Sequence, residues 1–211
     1  MSIARGKCRY GLIKKQKNAK MRKLKLQVQI TVDGFVAGPN GELDWMTWEK
    51  DERLIQLIND LTDSSSTILL GRKMTDDFMN YWEDIVKNKP ESPEFLFAKK
   101  MVDTPKIVFT RTLDKSRWTN TTLAKGNLVD EITKLKKQEG KDIVVYGGAG
   151  FVSSLVRESL IDEFNFFVNP VMIAKGMRIF DLLDKRQKLT TLAATAYSDG
   201  ICVLSYKLGK G

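Results

Sequence analysis

The sequence predicts an α/β domain on a twisted, mostly parallel sheet that ends in an antiparallel hairpin. Two observations carry this. Short apolar runs alternate with amphipathic stretches of helical period through most of the chain. The last part then changes texture. Residues 164–173, 188–197 and 201–208 look like strands, with Ser198-Asp199-Gly200 as a hairpin turn between the last two. No internal repeat or interdomain linker breaks the pattern, so residues 21–211 are expected to form one domain.

The elements follow in order. Residues 24–32 (LKLQVQITV) alternate like a strand, punctuated by Asp33-Gly34, and Pro39-Asn40-Gly41 makes a turn. Residues 48–62 read as an amphipathic helix with Leu54, Ile55, Leu57, Ile58 and Leu61 on one side. Residues 67–70 form a short buried strand that ends at Gly71-Arg72, and a helix follows to about Trp82. Residues 88–93 are a polar loop, and 94–102 a helix closed by Pro105. Residues 107–110 are a strand. Residues 127–138 are a helix with Leu128, Val129, Ile132 and Leu135 inward and Gly140 as its stop. Residues 143–146 are a strand running into Gly147-Gly148-Ala149-Gly150. A helix with Val152, Leu155 and Val156 as its apolar stripe comes next.

Composition narrows the chemistry. The chain has 211 residues, 42% hydrophobic and 29% charged, which is ordinary for a globular protein. It has no His, which excludes Ser-His-Asp and Cys-His nucleophiles and any imidazole zinc site. Cys8 and Cys202 alone make neither a four-cysteine metal site nor a disulfide framework.

The net charge of +9 is local. Residues 1–20 carry Arg5, Lys7, Arg9, Lys14, Lys15, Lys17 and Lys20 and no acid. Without those seven, 28 basic residues face 26 acidic ones. The leader lacks apolar periodicity and is expected to be disordered. It is either a cloning scar or an early start ahead of Met21, or an arm for nucleic acid or a membrane surface. Nucleic acid is expected to bind through this leader or not at all. No secretory signal and no apolar run of bilayer length is present, so a reducing cytoplasm is the expected location.

Three strand ends suit phosphate. Residues 144–151 (VVYGGAGF) place small residues where a strand turns into a helix, so backbone N–H groups and the helix dipole can meet an anion; Gly147, Gly148, Ala149, Gly150 and Phe151 are the candidates. The loop is neither GxGxxG nor a P-loop, and a plain tight turn is the competing reading. Gly71-Arg72-Lys73 puts two cations beside a Gly, and Thr110-Arg111 adds a hydroxyl and a guanidinium. Together they could hold a dinucleotide pyrophosphate and, through Arg72 and Arg111, the extra phosphate that separates NADPH from NADH.

Two carboxylates stand out. Asp51 falls on the helix face of Leu54, Ile55 and Ile58, where a charge is costly unless paired or useful; it equally suits a first-turn acid that favours the dipole. Asp33 is either a turn residue or a carboxylate at the mouth of the sheet. Trp45, Trp48 and Trp82 read as core or lid aromatics, with Trp45 a candidate to stack on a substrate ring.

A resemblance rests on five ordered segments: residues 31–37 (TVDGFVA), 41–45 (GELDW), 69–73 (LLGRK), 106–113 (KIVFTRTL) and 145–150 (VYGGAG). The chain resembles the dihydrofolate reductase-like superfamily over about residues 22–208. Its nearest likeness is to stand-alone proteins similar to the reductase domain of the bifunctional riboflavin-biosynthesis deaminase-reductase. The resemblance implies a three-layer α/β/α fold and NADPH along the carboxyl edge of the sheet. Gly71, Arg72 and Lys73 match its first cofactor loop, Thr110 and Arg111 the adenosine-phosphate loop, and residues 147–150 the pyrophosphate loop. Tyr146 would face nicotinamide and substrate, and Asp51 loosely matches the helix carboxylate that contacts a pterin. The implied activity is reduction of a C=N or Schiff-base carbon in a pterin or a 5-amino-6-(ribosylamino)uracil-like substrate by a cytoplasmic homodimer. A non-catalytic NADP(H) or nucleotide sensor of the same fold is the alternative. One departure is visible: the family's Thr after Gly-Arg-Xaa is Met74 here, and Thr75 comes one residue later.

Overall fold

Leu24, Leu26, Val28 and Ile30 alternate with Lys25, Gln27, Gln29 and Thr31 along β1 (Leu24–Thr31), and this strand lies near the middle of the sheet. The computed structural model describes residues 21–47 and 51–209; the predicted leader, Cys8 and Trp48 lie outside them. The elements after β1 are α1 (Glu52–Asp63), β2 (Ser65–Gly71), α2 (Arg72–Asn88), α3 (Phe95–Asp103), β3 (Lys106–Phe109) and β4 (Thr121–Ala124). Then come α4 (Leu128–Lys137), β5 (Asp142–Val145), α5 (Ala149–Arg157), β6 (Glu163–Asn169), β7 (Leu189–Ala196) and β8 (Cys202–Leu208).

The sheet order is β4-β3-β2-β5-β1-β6-β8-β7. The first six strands are parallel, and β8 runs antiparallel to both β6 and β7. Side-chain alternation divides the core into two faces. On one, Leu24, Leu26, Val28 and Ile30 pack with Ile132 and Leu135 of α4 and Val152, Leu155 and Val156 of α5. On the other, Ile68, Leu70, Val108 and Val144 meet Met101 of α3 and the α2 side chains Met74, Phe78 and Trp82. Further along that second face, Leu54 of α1 packs with Phe167, Ile201 and Val203. The result is three layers.

The chain leaves β1 towards β2 on one side and leaves β5 towards β6 on the other, although β1 and β5 are neighbours. Such a reversal opens a crevice at the carboxyl ends of the strands.

The structure differs from the sequence reading at several elements, among them the strand read over 164–173, which ends at Asn169, and Val129, which is exposed. Among the described residues the first helix begins at Glu52, capped by the Asp51 carboxylate, which accepts from the Arg53 N–H; positions 48–50 of the predicted helix lie outside them. The second helix runs past Trp82 to Asn88. Strand β4 was not foreseen: four residues, Thr-Thr-Leu-Ala, carry too little periodicity to signal an edge strand. Among the described residues no helix is long and apolar enough to cross a membrane.

Candidate functional site

The loops after β2, β3 and β5 converge at the carboxyl edge. Helix α2 starts directly after Gly71, and α5 directly after Gly148, whose φ is 86°. The two glycines touch: a Cβ on Gly148 would lie 3.4 Å from the Gly71 Cα. A Cβ on Gly71 would lie 2.8 Å from the Phe151 Cβ, closer than real side chains pack. The Phe109 and Phe151 rings stack with centroids 4.9 Å apart, so the end of β3 joins the same cluster.

These two helix starts differ from those of α1 and α4. Helices α1 and α4 are capped by the side chains of Asp51 and Asn127 and have acids in their first turns. Helices α2 and α5 have neither a side-chain cap nor a first-turn acid. Their first N–H groups and the positive ends of their dipoles therefore meet at one point, the arrangement an anion requires. A Cβ on Gly150 would meet nothing within 4 Å, so the space in front of α5 is open. Arg72, Lys73 and Arg111 are exposed at its rim. The two glycines let the helix starts approach this closely and so form a cradle, because side chains at Gly71 or Gly148 would run into Phe151 or the Gly71 backbone.

Hydroxyls near the cradle shape turns. Buried Thr110 accepts from the Thr112 and Leu113 N–H groups at 3.1 and 3.2 Å, which folds the Arg111 loop. Buried Thr75 donates to the Gly71 carbonyl at 3.0 Å. Met74 takes the departure position, and its sulfur lies 3.5 Å from where a Cβ on Gly147 would be. A thioether covers the glycine loop there.

The β1 side of the crevice is organised by two carboxylates. Asp33 accepts from the Thr31 hydroxyl at 2.6 Å and from the N–H groups of Ile173 and Ala174 at 3.1 and 2.8 Å. It staples the loop after β1 to the loop after β6, and these bonds, the Thr31 hydroxyl foremost, hold its pKa below the ordinary range. Asp51 is buried and accepts from the Arg53 N–H and guanidinium and from the Ser198 N–H and hydroxyl. Those donors, Arg53 foremost, hold its carboxyl far below the ordinary range.

The expectation that Asp51 or Asp33 acts as an acid changes accordingly. A carboxyl held that low carries no proton near neutrality, so both are loop staples in this conformation. Asp51 shares no stripe with Ile55, which is exposed.

Tyr146 directly follows β5 at the carboxyl edge and is half-buried. Its hydroxyl is 3.0 Å from that of Thr62, its ring packs on Phe78, and burial pushes its pKa up to about 12. The Trp45 indole donates to the Glu42 carbonyl at 3.2 Å in the loop before α1. Trp82 is a core aromatic, edge-on to Phe97 with centroids 5.2 Å apart.

Other polar residues escaped the sequence reading. Asn169, fully buried at the end of β6, accepts from the Thr47 N–H at 2.8 Å and donates to the Gln29 side chain at 2.7 Å. Asn165 donates to the Leu26 carbonyl and accepts from the Ser205 hydroxyl. The signal was present in β1. A parallel strand covered on both faces should be apolar throughout, yet every second residue is Lys, Gln or Thr. Among the described residues no group of three or more His, Cys, Asp and Glu side chains could hold a metal ion.

Comparison with known proteins gives consistent likenesses. A family model described as RibD C-terminal domain matches residues 22–203. The chain is 32% identical to the uncharacterized protein YyaP of Bacillus subtilis (strain 168) over 189 residues, covering 90% of this chain and 96% of that one. It is 27% identical to the uncharacterized protein YwjB of the same organism over 168 residues, covering 80% and 88%. Among solved structures it is similar to a putative riboflavin biosynthesis protein from Shewanella sp. PV-4, with a TM-score of 0.69 at 19% identity, covering 90% of this chain and 100% of that chain. It is also similar to the diaminohydroxyphosphoribosylaminopyrimidine deaminase/5-amino-6-(5-phosphoribosylamino)uracil reductase from Thermotoga maritima. That TM-score is 0.61 at 17% identity, covering 90% of this chain and 57% of that chain. At these identities the solved structures speak for the fold.

Proposed function

The chain belongs to the RibD C-terminal domain family, and from that premise we propose that it is an NADPH-dependent reductase of a pterin or a 5-amino-6-(ribosylamino)uracil-like substrate. The observation that carries this is the meeting of two uncapped helix N-termini at Gly71 and Gly148. Family membership implies an oxidoreductase; the cofactor and substrate are the proposal.

NADPH, when bound, supplies the hydride for a C=N or Schiff-base carbon. The chain supplies position. The N–H groups at the starts of α2 and α5 hold the pyrophosphate, with Gly71, Gly147, Gly148, Ala149 and Gly150 allowing its close approach and Phe151 closing the turn. Arg72, Lys73 and Arg111 face the remaining phosphate, with Thr110 fixing the Arg111 loop. Asp33 and Asp51 hold the walls of the substrate side, Trp45 offers a ring to a flat substrate, and Tyr146 sets the floor beneath it. Neither carboxylate carries a proton near neutrality, so the proton that completes reduction comes from water.

A second reading, a non-catalytic NADP(H) or nucleotide sensor, is favoured by one observation: both carboxylates near the crevice already have donors. Nicotinamide fluorescence and cofactor oxidation separate the two. The reductase reading expects NADPH binding and turnover on at least one member of a panel of pterins and aminopyrimidine ribosides. Tight binding with no turnover on any selects the sensor, and no binding overturns both.

A further inference from the structure

At the amino edge of the sheet, opposite the crevice, a cavity of about 400 Å³ opens where the neighbouring strands β2, β5 and β1 begin. Arg22, Asp63, Gly140, Lys141 and Asp142 are among its lining residues. Arg22 is only 5% exposed, yet all its partners are neutral. Its Nε donates to the Lys141 carbonyl at 2.5 Å, and its Nη2 to the Ser66 and Thr67 hydroxyls at 3.3 and 2.7 Å. A guanidinium carries five N–H groups. These bonds use three, and the two on Nη1 have no acceptor among the described residues. The one sealed side-chain polar atom without a partner among those residues is the Gln27 oxygen. Nη1 is therefore not sealed, and it opens into the cavity that Arg22 lines.

The surroundings leave this cation without a counter-charge. Asp142 accepts from the Lys23 N–H and pairs with Lys25 at 2.9 Å, and Asp63 pairs with Lys100 at 2.7 Å. Lys141 is exposed and donates to the Asp63 carbonyl at the end of α1, without an ion pair among the described residues. Gly140 keeps the guanidinium uncovered: a Cβ there would lie 3.6 Å from both the Arg22 Cζ and Nε. A buried charge with no opposite charge is costly, and an anion relieves that cost.

We propose that this cavity binds a small oxyanion, a phosphate or a carboxylate, held by the Arg22 Nη1 with Lys141 as the second cation. With Nε and Nη2 already occupied, the fork that grips a carboxylate in two parallel bonds is not open. The site therefore reads compact negative oxygen, which both anions offer. It lies at the other end of β5 from the glycine loop and stands independently of the reductase reading.

Amide resonances of the full chain, titrated with inorganic phosphate and separately with acetate, test it, against sodium chloride at matched ionic strength. The helix starts at the carboxyl edge also attract anions, so the readout is taken at Ser64 and residues 139–142. We expect saturable shifts there with a Kd on the order of 1 mM for at least one of the two anions, and the tighter one names the source. Lys141→Glu changes an exposed position and should weaken that affinity by about tenfold or more. The proposal is overturned if neither anion gives saturable shifts at these amides. It is equally overturned if chloride reproduces the shifts, or if Lys141→Glu binds as tightly as the wild type.

Discussion

The Asp51 carboxylate accepts both the N–H and the hydroxyl proton of Ser198, each at 2.9 Å, across 147 residues of chain. One oxygen pair therefore caps α1 and pins the β7–β8 turn to it. Asp51→Asn should weaken both contacts, because an amide offers one acceptor oxygen where the carboxylate offers two. The folded-state pKa lies below the ordinary 3.8. The contribution of this carboxylate is therefore fully present above that value and is lost as pH falls below it. We expect Asp51→Asn to lower Tm at neutral pH and to flatten the acid limb of the stability profile. If Asp51 only positions, turnover in a reductase assay stays within a few-fold of wild type.

Gly71 and Gly148 make the second prediction. Gly148→Ala adds a left-handed strain of about 1–2 kcal/mol and a Cβ 3.4 Å from the Gly71 Cα. Gly71→Ala has no positive φ to strain but drives a Cβ against Phe151. The α2 and α5 starts must then separate. Both variants should weaken NADPH binding by about tenfold or more, read by nicotinamide fluorescence. Gly140→Ala, another positive-φ glycine just before β5 and so at the opposite, amino edge of the sheet, should cost stability without changing cofactor affinity.

Alkaline pH should show two opposed limbs. Lys106 is buried with its ammonium donating to the carbonyls of Met101, Val102 and Thr104, and burial lowers its pKa to about 8 from 10.5. Between those values the unfolded chain holds a proton that the folded one lacks, so stability rises with pH. Tyr146 works the other way. Its phenol is pushed up to about 12 from 10.0, so its contribution is present below 10 and is lost as pH rises towards 12. Chemical denaturation across this range should show the rise first and the fall second. Lys106→Met should remove the rise, and Tyr146→Phe the fall, the latter at about 1 kcal/mol for the lost Thr62 bond.

The strand and helix order was legible because periodicity and glycine punctuation report local geometry. The cradle was legible for the same reason, since Gly71, Gly147 and Gly148 sit where strands turn into helices. The roles of Asp33 and Asp51 were not. Their partners, Ala174 and Ser198, are 141 and 147 residues away, and no local pattern links them. The polar face of β1 was in plain view as alternation, but alternation alone reads as a strand with one side in water. Only the burial of Gln27 and Thr31 shows that this polar face is covered.

That covered face carries the last prediction. Gln27 is 9% exposed, and its side-chain oxygen has no hydrogen-bond partner among the protein groups. A buried acceptor left without a donor costs about 1–3 kcal/mol. Gln27→Met keeps the length of the side chain and removes the orphan oxygen. We expect the variant to be more stable by about 1 kcal/mol, measured by urea denaturation with an unchanged m-value. A fall in stability would show that a buried water completes the amide in solution. Gln29→Met, one pleat nearer the crevice, should do the opposite: it deprives the Asn169 side chain of its acceptor and loosens the hold of Asn169 on Thr47. Contrary signs at two glutamines of one strand face would separate an orphan polar group from a working one.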